Sequence, residues 1–333
     1  MQRRCADTRS LPKLRLLHGT HRHSEPRGDV LSNPAFLFSG QGSQTVGMGR
    51  QAYEAHATVR ELFDRAQQVL GYDLAKVCFE GPADELNSTI RCQPALFVCG
   101  LAGVELLREQ SPQLLESCGA AAGLSLGEYT AMVFADVMEF EAALQVVQRR
   151  GEAMQAASDA APSGMVSILG LDFEKIQQVC DRARVEGGTL QVANFLCPGN
   201  IVVSGDLESC EQAVQAAPEA GAMRAIPLAV AGAFHTPIME PAVQQLVEAL
   251  ADIPLATPRI PVISNVDARP HDNPDDIRQI LVRQIVSPVL WENSMRYLLE
   301  QQFDLFYEVG PGRVLRSLLK RIDRKVACDG VAI

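Results

Sequence analysis

At 333 residues, with 47% hydrophobic and 21% charged side chains, the chain has ordinary globular composition and room for one large domain carrying a smaller insertion. Its net charge of −10 argues against nucleic acid or an anionic membrane as a bulk partner. The nine cysteines show no C-x-x-C spacing and read as reduced thiols, and the longest charge-free apolar run, Ala95 to Val104, is too short to span a bilayer.

Residues 1–34 differ from everything that follows. They hold Arg3, Arg4, Arg9, Lys13, Arg15, Arg22 and Arg27 with no sustained apolar period, so the apolar core of a secretory signal is missing. A mitochondrial or plastid transit peptide would be poor in acids, and Asp7, Glu25 and Asp29 depart from that. The segment is read as a disordered basic extension, with a transit peptide or a misassigned start as alternatives, and the protein is expected in the cytoplasm.

From Ala35 strands and helices alternate. Ala35 to Phe38 is a short apolar strand that runs into Ser39-Gly40-Gln41-Gly42-Ser43-Gln44, too rich in glycine for a helix. One helix is predicted from about Gly49 to Leu70, and another from Pro94, at its first turn, to Arg108. A small-residue strand then leads into Gly123-Leu124-Ser125-Leu126-Gly127-Glu128-Tyr129. This G-x-S-x-G is the sequence form of a nucleophile elbow: a strand turns sharply into a helix with the serine hydroxyl exposed at the bend. Taken alone, five residues with three fixed are also met by Gly-rich turns of no chemical interest.

Between residues 163 and 228 the order becomes β-α-β-β-α-β, a ferredoxin-like unit: strands at Met165–Leu169, Leu190–Phe195, Ile201–Ser204 and Met223–Leu228, helices at Phe173–Arg184 and Leu207–Ala217. The larger unit, residues 35–162 and 229–325, then resumes. It adds a helix after Pro241, a strand at Val262–Ser264, helices near Asp275–Ile285 and Trp291–Gln301, a strand at Leu305–Val309 and a last helix after Gly312. The expected fold is α/β, a large α/β-hydrolase-like domain with a mostly parallel sheet and an inserted ferredoxin-like subdomain.

A serine nucleophile needs a base, and only His56, His235 and His271 lie beyond residue 34. His56 reads as a solvated mid-helix residue and His271 sits in a turn-rich loop. His235, in Gly232-Ala233-Phe234-His235-Thr236-Pro237 at the end of an apolar run, is the favoured base.

Four blocks carry a family resemblance: Gly40-Gln41-Gly42-Ser43-Gln44, Gly123 to Glu128, Gly232 to His235, and Tyr307-Glu308-Val309-Gly310-Pro311-Gly312. In order and spacing they resemble the malonyl-CoA:acyl-carrier-protein transacylases of fatty-acid synthesis, across roughly residues 35 to 325. The resemblance implies Ser125 as the acylated nucleophile and His235 as its base, oriented by the backbone carbonyl of Gln284. It implies Gln41 and Leu126 as backbone donors of an oxyanion hole, and Arg150 as the ligand of the malonyl carboxylate. Phe234 and Asn194 are the further substrate contacts. It also implies a ping-pong transfer from malonyl-CoA to the phosphopantetheine thiol of acyl carrier protein, with no cofactor and no metal, in a monomer.

Three positions depart from the family pattern. Leu124 stands where a histidine is usual, Leu196 where an asparagine is common, and Ser39 where a proline would stiffen the glutamine loop, which is therefore expected to loosen. Three other readings compete: a stand-alone acyltransferase of a polyketide synthase, an α/β-hydrolase-type esterase, and a non-catalytic binding module. The esterase would carry its acid between serine and histidine, with the histidine near the C-terminus. Arg313, Arg316, Lys320, Arg321, Arg324 and Lys325 along the last helix form a candidate carrier-docking patch.

Overall fold

Short apolar strands separated by amphipathic helices have to bury both faces of a sheet, and here they do so in two sheets. The structure, a computed structural model, describes residues 33–331 and residue 333. The expectations for residues 1–32, among them the disordered extension, lie outside the described residues.

In chain order the elements are β1 (Pro34–Phe38), α1 (Arg50–Ala55), α2 (Ala57–Leu70), α3 (Leu74–Glu80), α4 (Ala83–Asn87), α5 (Thr89–Gln110), α6 (Pro112–Glu116), β2 (Ala120–Gly123), α7 (Leu126–Phe134) and α8 (Phe140–Ala160). Then come β3 (Ser163–Leu169), α9 (Phe173–Ala183), β4 (Leu190–Cys197), β5 (Asn200–Asp206), α10 (Leu207–Glu219) and β6 (Arg224–Pro227). The chain closes with α11 (Glu240–Ala251), β7 (Val262–Ile263), α12 (Pro274–Gln284), α13 (Trp291–Glu300), β8 (Leu305–Val309), α14 (Val314–Ile322) and β9 (Ala327–Val331).

The larger sheet has the order β7-β2-β1-β8-β9, and every pair in it is parallel. Ala35 to Phe38 are wholly buried, which is why the central strand reads as an unbroken apolar run instead of an alternating one. In register, Phe38 faces Gly123 on one side and Val309 on the other. The glutamine loop, the elbow and the Gly310–Gly312 loop therefore leave the sheet side by side at its carboxyl end, where parallel α/β sheets place their ligands.

The smaller sheet is antiparallel with the order β4-β5-β3-β6, the arrangement a β-α-β-β-α-β unit makes when its two helices cover one face. In β3 and β5 the side chains alternate: Val166, Ile168, Ile201 and Val203 pack with α9 and α10, while Met165 and Val202 join the core of the larger unit.

Several expected boundaries move. The helix predicted from Gly49 to Leu70 is two helices, broken at His56, whose φ of −120° and ψ of 126° are extended. α5 begins at Thr89, so Pro94 sits inside it and not at its first turn. At 22 residues α5 is long and apolar enough to cross a membrane by composition, but 83% of its most apolar window is buried in the protein as a core helix. The parallel sheet also continues past residue 325: β9 pairs with β8, a strand that Asp329 and Gly330 conceal from propensity.

Candidate active site

The turn from β2 into α7 is tight enough to dictate its sequence. A Cβ on Gly123 would lie 1.9 Å from the Gly127 carbonyl carbon, and one on Gly127 would lie 2.2 Å from the Phe38 carbonyl oxygen. Only hydrogen fits at either place, so strand and helix close on each other around Ser125. Ser125 takes φ 50° and ψ −101°, a conformation that costs about 1–3 kcal/mol and needs its surroundings to hold it. Asn265, just past β7, does so from both sides. Its Oδ1 accepts from the Ser125 N–H at 2.6 Å and its Nδ2 donates to the Gly123 carbonyl at 2.7 Å.

His235 reaches the elbow from the segment before α11, with a positive φ of 63°. Its Nε2 lies 2.9 Å from Ser125 Oγ, and its Nδ1 lies 2.9 Å from the Gln284 carbonyl. A carbonyl can only accept, so the proton is on Nδ1 and Nε2 is free to take the serine proton. Burial and the nearby Arg150 charge pull the imidazole down to about 4, which keeps it neutral and basic at pH 7.

Arg150 comes from the middle of α8 and is 1% exposed. Its Nη1 donates to Gln93 Oε1 at 2.7 Å, and its Nη2 to Gln284 Oε1 at 2.9 Å and Ser125 Oγ at 3.0 Å. All three acceptors are neutral. Burial lowers its pKa from the ordinary arginine value, and among the described residues no carboxylate is in contact with it. A fixed, planar cation 3.0 Å from a serine hydroxyl has the geometry to meet a carboxylate on a group attached there.

Glu128, one turn along α7, is also fully buried. Its Oε2 accepts from Gln284 Nε2 at 2.6 Å and from the Asn265 N–H at 3.1 Å, and burial raises its carboxyl to about 7. Gln284 Nε2 donates in addition to the Ser125 carbonyl at 3.0 Å.

A cavity of about 120 Å³ opens on these groups between the two sheets. Gln41, Ser125, Leu126, Arg150, Asn194, Phe234 and His235 all line it, together with apolar side chains from both units. Gln284 lies behind it. The elbow places Leu126 at the first position of α7, where the backbone N–H has no partner within the helix. Among the described residues, the Gln41 N–H donates to no other group.

The remaining histidines lie elsewhere, His56 2.6 Å from Glu109 and His271 2.9 Å from Asp267. Ser39 does not loosen its loop: its buried hydroxyl donates to the Pro311 carbonyl at 2.9 Å and ties two loops of the site together. The basic patch is partly engaged with its own chain, since Lys320 donates to the Val326 carbonyl and Arg321 to those of Pro198 and Gly199. Sequence reading missed Asn265, Gln93 and the Glu128 carboxyl. Asn265 and Gln93 are far from any motif in sequence, while Glu128 is visible within the elbow block but only the fold shows what it touches.

The chain is similar to known proteins over most of its length. The family described as acyl transferase domain matches residues 35–327. The mitochondrial malonyl-CoA-acyl carrier protein transacylase of Homo sapiens is 44% identical over 295 residues, covering 85% of this chain and 75% of its own. The malonyl CoA-acyl carrier protein transacylase of Bacillus subtilis is 42% identical over 304 residues, 91% of this chain and 94% of its own. Among solved structures, a malonyl-transacylase in complex with a type II polyketide synthase acyl-carrier protein superposes with a TM-score of 0.86 at 38% identity, covering 90% of this chain and 96% of that one.

Proposed function

We infer that this chain, which belongs to the acyl transferase family, is a malonyl-CoA:acyl-carrier-protein transacylase, moving the malonyl group from malonyl-CoA to the phosphopantetheine thiol of an acyl carrier protein. One observation carries the assignment of roles. A base and a carboxylate-binding cation converge on a single hydroxyl, with His235 Nε2 at 2.9 Å and Arg150 Nη2 at 3.0 Å from Ser125 Oγ.

In this reading Ser125 Oγ attacks the thioester carbonyl while His235 takes its proton. The oxyanion is met by the Gln41 and Leu126 N–H groups. Collapse of the tetrahedral intermediate breaks the C–S bond, and His235 returns the proton to the departing CoA thiolate. The carrier thiol then gives its proton to His235 and attacks the malonyl ester; the C–O bond breaks, and Ser125 Oγ leaves with the proton returned by His235. Each half-reaction exchanges one acyl ester for another, so nucleophile, base and oxyanion donors suffice and we assign no cofactor or metal. All these groups come from one chain, which a monomer satisfies.

Arg150 selects a carboxylated acyl group, because a neutral one would leave a buried cation with no anion in direct contact. The Phe234 ring, 5% exposed on the cavity wall, crowds a branch at the α-carbon and favours malonyl over methylmalonyl. Asn194, also on the wall, offers a polar contact. The esterase alternative needs a carboxylate on the histidine, whereas His235 Nδ1 faces a carbonyl. A polyketide acyltransferase would use the same chemistry and differ only in its carrier; we assign the chain to fatty-acid elongation.

Intact-mass analysis after incubation with malonyl-CoA is expected to show one malonyl adduct, mapping to the peptide that holds Ser125. An adduct on any other residue overturns the mechanism. We place the protein in the cytoplasm, on the acids within residues 1–34. The human relative is named mitochondrial, so the check is a fusion of residues 1–34 to a reporter, and its import into mitochondria or plastids would reverse this placement.

A further inference from the structure

Glu128 takes no part in the transfer just described, yet it holds two residues that shape the site. The Gln284 amide has acceptors on one side, Ser125 O and Glu128 Oε2, and a donor, Arg150 Nη2, on the other. That arrangement allows one orientation of the amide. The same carboxyl oxygen accepts from the Asn265 N–H, and the Asn265 side chain clamps the strained Ser125 peptide. Through these two residues Glu128 acts on the elbow, on the segment whose carbonyl orients His235, and on Arg150.

Its charge matters as well. Among the described residues Arg150 hydrogen-bonds only to neutral groups; Tyr129 beside it, and the Glu128 carboxyl linked to it through the Gln284 amide, are the acidic groups that favour its charge. A malonyl carboxylate pairing with Arg150 would bring a second negative charge into the same low-dielectric volume. Two anions cannot both stay ionised beside one cation there without large cost.

Building on the transacylase reading, we propose that Glu128 is a positioning residue that fixes the Gln284 and Asn265 amides and the resting counter-charge of Arg150, taking a proton from solvent when the malonyl carboxylate arrives. Its carboxyl, lifted by burial to about 7, is poised to do this near neutrality. The groups facing it are Arg150 from α8, Gln284 at the end of α12, Ser264 and Asn265 after β7, and Tyr129 beside it on α7; His235 lies beyond Ser125. Of these Arg150 alone carries charge at pH 7, since Tyr129 is pushed up to about 12 and His235 is neutral.

The test is the ratio of kcat/KM for malonyl-CoA to that for acetyl-CoA against pH, in which His235 and the CoA phosphates cancel. In the wild type the ratio is expected to fall above pH 7, approaching about tenfold per pH unit, because only malonyl transfer needs Glu128 protonated. Glu128→Gln keeps an oxygen for both donors and is expected to flatten the ratio while retaining both activities. Glu128→Ala removes the acceptor of the Asn265 N–H and one of the two acceptors of Gln284 Nε2, and is expected to slow both substrates about tenfold or more, with the Gln variant restoring the rate. A wild-type ratio that does not change with pH overturns the counter-charge, and this measurement needs no variant to fold. A Glu128→Ala enzyme as fast as wild type overturns the positioning role. Failure of Ser125 to become malonylated would instead strike the transacylase reading itself.

Discussion

His235→Ala is expected to slow both acylation by malonyl-CoA and transfer to the carrier by about 10²–10⁴, measured as pre-steady-state CoA release and as carrier malonylation. The magnitude follows from geometry. Among the described residues His235 is the one imidazole in contact with Ser125 Oγ, at 2.9 Å, and the other side chain in contact, Arg150, is a cation whose N–H donates to the oxygen and cannot take its proton. His56 and His271 are engaged with Glu109 and Asp267 away from the site and cannot substitute. Activity in the variant within a few-fold of wild type would move the base elsewhere.

The same residue sets the acid limit. An imidazole at 6.5 would lose its basic form through pH 6, but His235, held at about 4, keeps it. kcat/KM should therefore hold down to about pH 4–5 and then fall about tenfold per unit. Stability moves the other way over that window. Between pH 6.5 and 4 the unfolded chain binds a proton that the folded one refuses, so unfolding becomes easier as pH falls. An acid limb near 6.5 would mean that the imidazole is neither as buried nor as close to a cation as the structure shows.

Much of this site was legible in the chain because its constraints are local. Gly123 and Gly127 announce the elbow since no other residue clears the backbone there, and the unbroken apolar run at Ala35 to Phe38 announces a strand buried on both faces. His235 emerged by elimination among three histidines. What stayed hidden depends on tertiary approach. Asn265 lies 140 residues from the Ser125 N–H it caps, and its own neighbours carry no pattern that marks it. The break at His56 interrupts an apolar period that continues on both sides, so periodicity alone runs through it. β9 has too few β-branched residues to read as a strand and is held by pairing with β8.

Arg150 separates a malonyl transferase from a general acyl-transfer site, and its removal should show that directly. The guanidinium is 1% exposed and hydrogen-bonds only to neutral acceptors, so a substrate carboxylate would be the first anion in direct contact with it. Losing a charge-assisted pair of this kind costs about 1.5–3 kcal/mol or more. Arg150→Ala is therefore expected to lower kcat/KM for malonyl-CoA by about tenfold to a hundredfold or beyond, with acetyl-CoA unchanged or improved. Acetyl transfer gains because the neutral acyl group no longer faces a cation that it cannot pair with. Lysine should not rescue the malonyl preference, since an ammonium cannot hold Gln93, Gln284 and a carboxylate with one planar fork. The variant leaves the Gln93 and Gln284 side-chain oxygens without their donor, so its melting temperature is expected to drop, and rates belong well below it. Removing the cation also lifts one of the two causes that depress His235, and the acid limb of the variant should move up from about 4 toward 6.5. An equal loss for both acyl groups, with the limb unmoved, would make Arg150 a support of the fold and leave selectivity to be sought elsewhere on the cavity wall.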